Sequence, residues 1–315
     1  MDGSKIEWTD ATWNPIRGCS RVSEGCRFCY AERVAARFSG EIIAEDSEGK
    51  FMKPLAYRGL AKMTADGPRW TGEVRFVKEK LEDPLRWKRP RRIFVNSMSD
   101  LFHEKAKSEW IDSVFAAMGL AHWHTFQVLT KRPERALAYF QSNPYDRILR
   151  QAEHLLHTAI VSRAEKRHGV HGISDPNRIP WRHVWLGVSV EDQATADERI
   201  PFLLQTPAAV RWVSYEPALG PVNFASYMRR PVGLDQIIVG GESGPGARPF
   251  DIVWARKVVA QCREAGVKVF VKQLGARPYI GGDPQEGIEN GYKTASKKGG
   301  DPAEWPADLR VREYP

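Results

Sequence analysis

Three of the chain's four cysteines lie within eleven residues, in the stretch GCSRVSEGCRFCYAERVAARF. Cys19 and Cys26 are separated by six residues, and Cys26 and Cys29 by two. Thiolates are soft ligands that favour zinc or iron–sulfur clusters. A structural zinc site needs a fourth Cys or His, and this loop contains no histidine. His103 is distant along the chain, although the fold could bring it near the loop.

The fourth cysteine, Cys262, is a poor candidate for a fourth ligand. It lies in a predicted helix on the apolar face that also carries Trp254 and Val258, so we expect a buried structural cysteine. A [4Fe–4S] cluster with three protein ligands leaves one iron open to a small molecule. S-adenosylmethionine is a known occupant, because its amino and carboxylate groups chelate that iron. Three thiols without a local fourth ligand are therefore compatible with a [4Fe–4S] cluster whose open iron coordinates a small molecule, and a zinc site completed from elsewhere in the chain stays open.

No other motif in the sequence competes with the cysteine loop. The chain lacks the Gly-x-x-x-x-Gly-Lys-Ser/Thr phosphate loop, the Gly-x-Ser-x-Gly nucleophile elbow and the His-Glu-x-x-His metal motif. The stretch GGESGPG follows a predicted strand but lacks the lysine of a phosphate loop. His168 and His171 fit a surface loop better than a metal site.

The elements that would position the cysteines are short apolar runs rich in Val, Ile and aromatic residues. They are nearly continuous in apolar character, which is typical of parallel strands covered on both faces. Residues 11–19 are a candidate first strand that delivers Cys19 at its carboxyl end. The other candidate strands are residues 92–97, 125–130, 184–190, 210–215, 236–241 and 267–272.

Helix-like segments separate these runs, and the alternation predicts βαβ units with a parallel sheet. We therefore predict an α/β fold, an incomplete (β/α)6-7 TIM-like barrel. Residues 1–275 would form the single barrel domain, with insertions near 40–90, containing one hairpin, and near 143–182. Residues 276–315 are rich in Gly, Pro and charge and would form a C-terminal surface extension. The helix candidates are residues 108–121, 133–141, 191–205 and 250–266.

Polar residues follow the predicted strands directly. In an α/β barrel the carboxyl ends of the strands form the active-site face, so these residues would lie on one ring. The alternative is that loops are polar in any protein. The set comprises Asn96, Ser97, Ser99, Asp100, Lys131, Arg132, Ser189, Glu191, Asp192, Ser214, Glu216, Glu242, Ser243, Lys272 and Gln273.

The three-cysteine loop, with Phe28 directly before the last cysteine, resembles that of the radical S-adenosylmethionine (radical SAM) superfamily. The commonest superfamily spacing has three residues between the first two cysteines, whereas this chain has six, SRVSEG. Stretches along nearly the whole chain resemble a phage- and prophage-associated family of unknown function placed near the radical SAM barrels. They include VNSMSDLFHE, LTKRPER, WLGVSVE, WVSYEPALGP, VGGESG and EWPADLRVREYP.

The resemblance implies a barrel of radical SAM type in which the three cysteines hold the cluster and Phe28 lies against the adenine. In the superfamily a Gly-Gly-Glu after the second strand binds the methionyl amino group. Here Ser97, Ser99 or Asp100 would take that place, and Lys131 after the third strand would meet the carboxylate.

Ser189 and Glu191, after the fourth strand, would meet the ribose hydroxyls under the same resemblance. A Gly240-Gly241-Glu242 sequence follows a much later strand, so it is not equated with the superfamily motif. Its glycines would still let a ligand approach the backbone closely. For each of these assignments the alternative is a salt bridge or cap within the barrel rim.

We therefore predict a radical SAM-type enzyme that reductively cleaves S-adenosylmethionine to a 5′-deoxyadenosyl radical. The substrate is unknown, with nucleic acid as a candidate class, and an external donor of the flavodoxin or ferredoxin type would supply the electron. Two alternatives stay open: a zinc-stabilised nucleic-acid-binding protein without catalysis, and an iron–sulfur electron carrier. Candidates for substrate contact or proton handling are Tyr215, Glu216, Lys272 and Gln273.

The net charge of +8 and the pI of about 9.3 suit a nucleic-acid or phosphate-bearing partner, or simply an Arg-rich protein. The runs RWKRPRR (86–92) and RAEKRHGVH (163–171) could contact a nucleic-acid backbone, and equally fit solvated segments. Several tryptophans near basic residues suit either base stacking or core packing: Trp13, Trp70, Trp87, Trp181 and Trp254.

The sequence predicts a cytoplasmic protein without a membrane partner. Mean hydropathy is −0.47, and no window approaches the length of apolar residues that a membrane span needs. The N-terminal stretch MDGSKIEWTD carries acids and lacks the apolar segment of a signal peptide. Clustered cysteines indicate metal binding or catalysis in a reducing compartment rather than a secreted disulfide framework.

Overall fold

The computed structural model describes residues 4, 6–46, 49–156, 180–229, 231–281 and 291–315, with the single positions 160, 164, 167 and 168. The strands, in chain order, are β1 (Ala11–Trp13), β2 (Ile16–Arg17), β3 (Glu41–Asp46), β4 (Gly49–Pro54), β5 (Ala61–Thr64), β6 (Gly67–Trp70), β7 (Arg75–Phe76), β8 (Arg92–Val95), β9 (Thr125–Thr130), β10 (Val184–Val190), β11 (Val210–Tyr215), β12 (Gln236–Gly240), β13 (Phe250–Asp251), β14 (Lys268–Gln273) and β15 (Pro278–Tyr279).

The described helices include all four that the sequence predicts. The last of them is capped by the Asp251 side chain and ends at Gly266, whose φ of 67° is the left-handed conformation that glycine adopts readily. The α-helices are α1 (Tyr30–Arg37), α2 (Asp83–Arg86), α3 (Ser108–Leu120), α4 (Pro133–Gln141), α5 (Tyr145–Leu156), α6 (Gln193–Gln205) and α7 (Ile252–Ala265).

Seven of the strands form one sheet in the order β1–β8–β9–β10–β11–β12–β14. The pairs β1–β8, β8–β9, β10–β11, β11–β12 and β12–β14 are parallel. Every residue of β10 and of β12 is buried, as expected for strands covered on both faces. A mixed α/β fold with a parallel sheet is therefore confirmed. Each predicted strand has a counterpart, but residues 11–19 form two short strands, β1 and β2, and Cys19 follows β2, which pairs with β7 outside the seven-stranded sheet.

The chain forms two compact units. The first comprises Met1–Ser4, Thr9–Val128 and Tyr139–Arg178, and the second Lys5–Trp8, Leu129–Ala138 and Ile179–Pro315. In the second unit, Trp305 and Leu309 of the C-terminal segment are buried. The division into a barrel domain, 1–275, and a surface extension, 276–315, stays a prediction.

The segment 40–90 contains two antiparallel strand pairs, β3–β4 and β5–β6, so the prediction of one hairpin there is wrong. Strands β5 and β6 pack against α1, which directly follows the third cysteine. The small buried side chains of Ala31, Ala35 and Ala36 on α1 allow this close packing. The resulting core, on which Cys29 and Trp70 also pack, consists of Ala31, Ala35, Ala36, Tyr57, Leu60, Ala61 and Met98.

The segment 143–182 contains α5, and residues 169–179 of this segment lie outside the described residues. None of the helices in the described part of the chain has the length and apolar character to cross a membrane.

Candidate functional site

The cysteine loop lies between β2 and α1 in the first unit. Its three cysteines are of intermediate exposure. Gly18, just before the first thiol, has a φ of 93°, and a Cβ there would clash with the carbonyl of Glu73. Only glycine accommodates both constraints without strain. Backbone geometry and packing at Gly18 thus fix the direction in which the chain enters the loop.

The third thiol lies at the amino end of a helix. Cys29 is the N-cap residue of α1, and burial raises the pKa of its thiol above the ordinary value of 9.0. The N–H groups of Glu32 and Ala31 act in the opposite direction by hydrogen bonding to the sulfur, while charge on Cys26 raises the pKa further. Cys26 and Cys29 are therefore close enough to repel each other as thiolates, and a cation bound by both would remove that repulsion.

Among the described residues, no three Cys, His, Asp or Glu side chains are already placed to hold a metal ion. The donor chemistry nevertheless fits a soft metal centre, because three partly exposed thiols share one short loop. The cysteine loop is thus suited to a cluster by its donor types and by the mutual repulsion of two thiols.

Cys262 confirms its interpretation as a buried structural cysteine. It lies on α7 in the second unit and is fully buried. Burial, together with the nearby Glu313 carboxylate, raises the pKa of the Cys262 thiol to about 12. A thiol in that environment stays protonated and is a poor metal ligand.

An ion pair braces the cysteine loop against α1. Glu32 is 1% exposed and accepts hydrogen bonds from Arg21 Nε at 3.2 and 3.0 Å and from the Trp70 N–H at 2.7 Å. Arg21 also donates to the carbonyl of Arg27 at 3.0 Å. The sequence reasoning missed this pair, although a glutamate on the alanine-rich face of α1 was a signal for it.

His103 lies beside the cysteine loop in space. Its ring is buried, Nδ1 accepts the Lys105 N–H at 3.2 Å, and Nε2 lies 3.0 Å from Ser20 Oγ. Ser20 also donates to Glu104 at 2.9 Å. Because Nδ1 accepts a backbone hydrogen bond, the neutral ring carries its proton on Nε2. The residue next to Cys19 is therefore held by a histidine that is distant in sequence.

The residues after β8 bond to the segment that leads into the cysteine loop. Ser99 Oγ donates to the carbonyl of Ile16 at 2.8 Å, and Ser97 Oγ to Asn14 Oδ1 at 3.3 Å. Asp100 is buried and caps the Phe102 N–H at 2.9 Å. The structure thus brings Ser97 and Ser99 to the cysteine segment, and their role towards an amino group stays a prediction.

Phe28 also lies in the first unit, where the Arg27 guanidinium sits 5.6 Å from its ring centroid. This cation–π contact occupies one side of the ring in the described structure. The predicted contact between Phe28 and an adenine stays a prediction.

The remaining predicted site residues lie in the second unit, where the first network surrounds Glu191. Glu191 is buried between Lys131, which contacts Oε1, and Arg199, whose Nη1 donates to Oε2 at 3.0 Å. Arg199 also donates to the carbonyl of Ser189 at 2.8 Å. Lys131, Ser189 and Glu191 are thus assembled into one ion-pair network, which is the salt-bridge alternative for these residues.

The Gly240-Gly241-Glu242 sequence lies against other parts of the second unit. Arg248 holds Glu242 through a bidentate pair, with Nη2–Oε1 at 2.7 Å and Nε–Oε2 at 2.9 Å. A Cβ on Gly241 would lie 2.6 Å from the carbonyl of Leu274. The glycine therefore allows close packing of the protein's own chain at this position.

Two of the predicted catalytic residues form a charged pair, and the other two form hydrogen bonds to backbone carbonyls. Lys272 Nζ donates to Glu216 Oε2 at 3.2 Å. Gly240 lies against the same carboxylate, since a Cβ on Gly240 would lie 2.6 Å from Glu216 Oε1. By contrast, Tyr215 is buried and its hydroxyl bonds to the Gly220 carbonyl. Gln273 Nε2 donates to the carbonyl of Gly241 at 2.8 Å.

Opposing influences act on the pKa of Glu216. Burial raises the pKa of its carboxyl group, the Lys272 charge opposes that rise, and the carboxylate of Glu7 adds to it. Oε1 of Glu216 is buried and has no hydrogen-bond partner among the described residues. The sequence reasoning missed Glu7, which lies far from Glu216 along the chain and pairs with Lys298.

A family profile described as a protein of unknown function, DUF5131, matches residues 3–298. The chain belongs to the DUF5131 family. No curated protein and no solved structure matches the chain. The family match covers both the cysteine loop and the strand-end residues, and its printed description assigns no activity to either.

Proposed function

We propose that this DUF5131 protein is an iron–sulfur enzyme of the radical SAM type, built on an incomplete α/β barrel. One observation carries the proposal: three partly exposed thiols share one loop, while the fourth cysteine is buried in a helix of the other unit. This donor count suits a [4Fe–4S] cluster with one open iron better than a closed zinc site. Phage association, cytoplasmic location and a nucleic-acid substrate stay predictions.

Cys19, Cys26 and Cys29 would hold the cluster, which when bound supplies the electron for reductive cleavage of S-adenosylmethionine. The protein's own contribution is to gather the thiols. The Arg21–Glu32 pair holds the loop on α1, and the N–H groups at the start of α1 favour the thiolate form of Cys29. The braced loop therefore keeps the thiols near one another, where Cys26 and Cys29 would repel each other as thiolates. A bound cluster would offset that repulsion.

In the second unit, Glu216 is suited to proton handling. Its raised pKa favours a protonated carboxyl at a higher pH than an ordinary glutamate tolerates. Lys272 and Ser214 contact Oε2, so the proton would reside on the unpartnered Oε1. A carboxyl held this way can donate or accept a proton at Oε1.

The proposal is tested by anaerobic reconstitution of the full chain with iron and sulfide. We expect brown protein with about four irons per chain. Dithionite and S-adenosylmethionine should then release 5′-deoxyadenosine, with buffer-treated reconstituted protein as the control. One tightly bound zinc without visible absorption would contradict the iron–sulfur assignment.

The two parts of the proposal fail separately. A fully loaded cluster that releases no 5′-deoxyadenosine and shows no change in its electron paramagnetic resonance spectrum with S-adenosylmethionine would indicate an electron carrier. Such a result would retain the three cysteine ligands and reject the radical reaction.

A further inference from the structure

Trp87, in the basic run 86–92, and His168, in the run 163–171, both contact one tryptophan, Trp123, in the first unit. Trp123 Nε1 donates to the carbonyl of Trp87, in the first run, at 3.1 Å. The Trp123 ring stacks on His168, in the second run, with centroids 4.1 Å apart and an interplanar angle of 14°. Segments far apart in sequence thus share one aromatic support at the amino ends of β8 and β9.

Arg91, in the first run, is fixed on this support. His124 is buried; its Nδ1 accepts the Arg91 N–H at 3.1 Å, and Nε2 lies 3.0 Å from the Pro84 carbonyl. The Arg91 guanidinium lies 5.4 Å from the Trp87 ring centroid. Cations fixed in this way lose little entropy when they bind a partner.

The charge on this surface is positive. Lys88 and Arg89 are exposed beside Arg91. Burial is the largest cause that lowers the pKa of His168, and the positive charges of Arg167 and His122 lower it further. Nε2 of His168 is buried and has no hydrogen-bond partner among the described residues. An anionic ligand would therefore be favoured at this position.

We propose that these residues form a surface that binds the phosphate backbone of a nucleic acid. The surface, here called the Trp123 patch, consists of Trp87, Lys88, Arg89, Arg91, Trp123, Arg167 and His168. Arginines and lysines fixed next to aromatic rings are the recurring contacts of backbone binding.

A membrane surface fits the Trp123 patch less well. Interfacial membrane binding needs exposed apolar side chains. The large exposed hydrophobic residues of the described chain lie elsewhere: Val22, Tyr30, Phe38, Ile42, Met52, Met63, Val232 and Ile280. The tryptophans of the patch are only partly exposed and serve to support the cations.

The Trp123 patch is separate from the cysteine loop and does not rest on the proposed function. Arg91 precedes β8 and Asn96 follows it. The two residues are five positions apart, roughly 16 Å of extended chain. The cysteine segment bonds to the carboxyl end, whereas the patch lies at the amino end. A chain with all three loop cysteines replaced by alanine should keep the backbone binding.

The test measures anisotropy of labelled oligonucleotides of about 20 nucleotides, single-stranded and duplex, with the full chain between about 50 and 200 mM salt. The variant K88A/R89A should bind roughly 10- to 30-fold more weakly at about 100 mM salt, with a shallower salt dependence, because each lost phosphate contact lowers the slope by about 0.7 to 0.9. The matched control K53A/K62A removes two exposed lysines elsewhere in the same unit.

Equal weakening in K53A/K62A would overturn the assignment, because it would indicate diffuse attraction by net charge. Absence of oligonucleotide binding by the unmodified chain would also overturn it. Binding to phosphatidylserine-rich vesicles in place of oligonucleotides would reject the nucleic acid as the partner. Circular dichroism of both variants should match that of the unmodified chain, since all four side chains are exposed.

Discussion

In the first unit the thiols of Cys26 and Cys29 repel each other when ionised, whereas in the second unit the strand-end carboxylates lie against cations. Glu191 lies between two cations, and Glu216 pairs with Lys272. Because burial raises the pKa of Cys29, its thiol stays protonated in the unbound loop, and a bound cation would favour loss of that proton. The strand-end charges already neutralise each other within the protein.

This difference separates what each region can contribute. A ligand of the cysteine loop gains from relieving repulsion, while a ligand of the strand-end network must replace existing ion pairs. Breaking a buried pair costs several kcal/mol, so we expect the network around Glu191 to be mainly structural. Glu216 differs, because Oε1 is without a partner among the described residues.

The largest expected effect is loss of the cluster in Cys26→Ala. Two thiols on the loop cannot hold three irons, so iron content after reconstitution should fall to background. Cys262→Ala is the matched control and should keep the full iron content, because that thiol is fully buried on α7 and its raised pKa makes it a poor ligand. Equal iron in both variants would show that the loop is not the ligand set.

Glu191→Ala should destabilise the protein by about 3 to 5 kcal/mol, because it leaves the buried Arg199 without its counter-charge. Urea denaturation followed by circular dichroism measures the free energy of unfolding. Glu198→Ala removes an exposed carboxylate from α6, the helix that carries Arg199. This control should change the free energy of unfolding by less than about 0.5 kcal/mol. Similar values for the two variants would contradict a structural role for the network.

Gly240→Ala should cost about 1 to 3 kcal/mol, because the new methyl group would lie 2.6 Å from Glu216 Oε1 and displace the pair with Lys272. Gly220→Ala is the control, since its Cβ meets Asp192 at an ordinary 3.5 Å. In a double-mutant cycle, Glu216→Ala should relieve much of the Gly240→Ala cost. Additive costs would place the clash elsewhere.

The smallest expected effect is a pH dependence that arises from Glu216. Its pKa is raised in the folded protein above the ordinary 4.5, so the folded state binds this proton more tightly than the unfolded chain. The stability contributed by that proton is present at low pH and is lost as pH rises from 4.5 through the folded value.

Glu216→Gln should therefore gain stability relative to the unmodified chain as pH rises. Urea midpoints measured from acidic to neutral pH report this trend. Glu264→Gln, an exposed carboxylate on α7, should show no such trend. A relative loss of stability for Glu216→Gln at higher pH would reverse the sign of the argument.

Much of the fold follows from local patterns in the sequence. Each predicted strand and helix has a counterpart because apolar runs, helix caps and glycine stops act over a few residues, as at Gly266. The prediction of one hairpin in 40–90 was wrong. The mostly polar sequence there does not indicate how the strands pair, so the presence of two antiparallel pairs could not be predicted from it. Long-range partners such as Glu7, His103 and Trp123 carried no such local pattern.

The sequence by itself determined the number, types and spacing of the thiols and the parallel α/β fold, because these depend on covalent order and on residues a few positions apart. Only the tertiary structure decided that Arg21 braces Glu32, that Glu191 lies between two cations, and that Trp87 and His168 meet at Trp123. These contacts join positions that are separated in sequence, and chain folding alone brings their charges and rings within interaction distance.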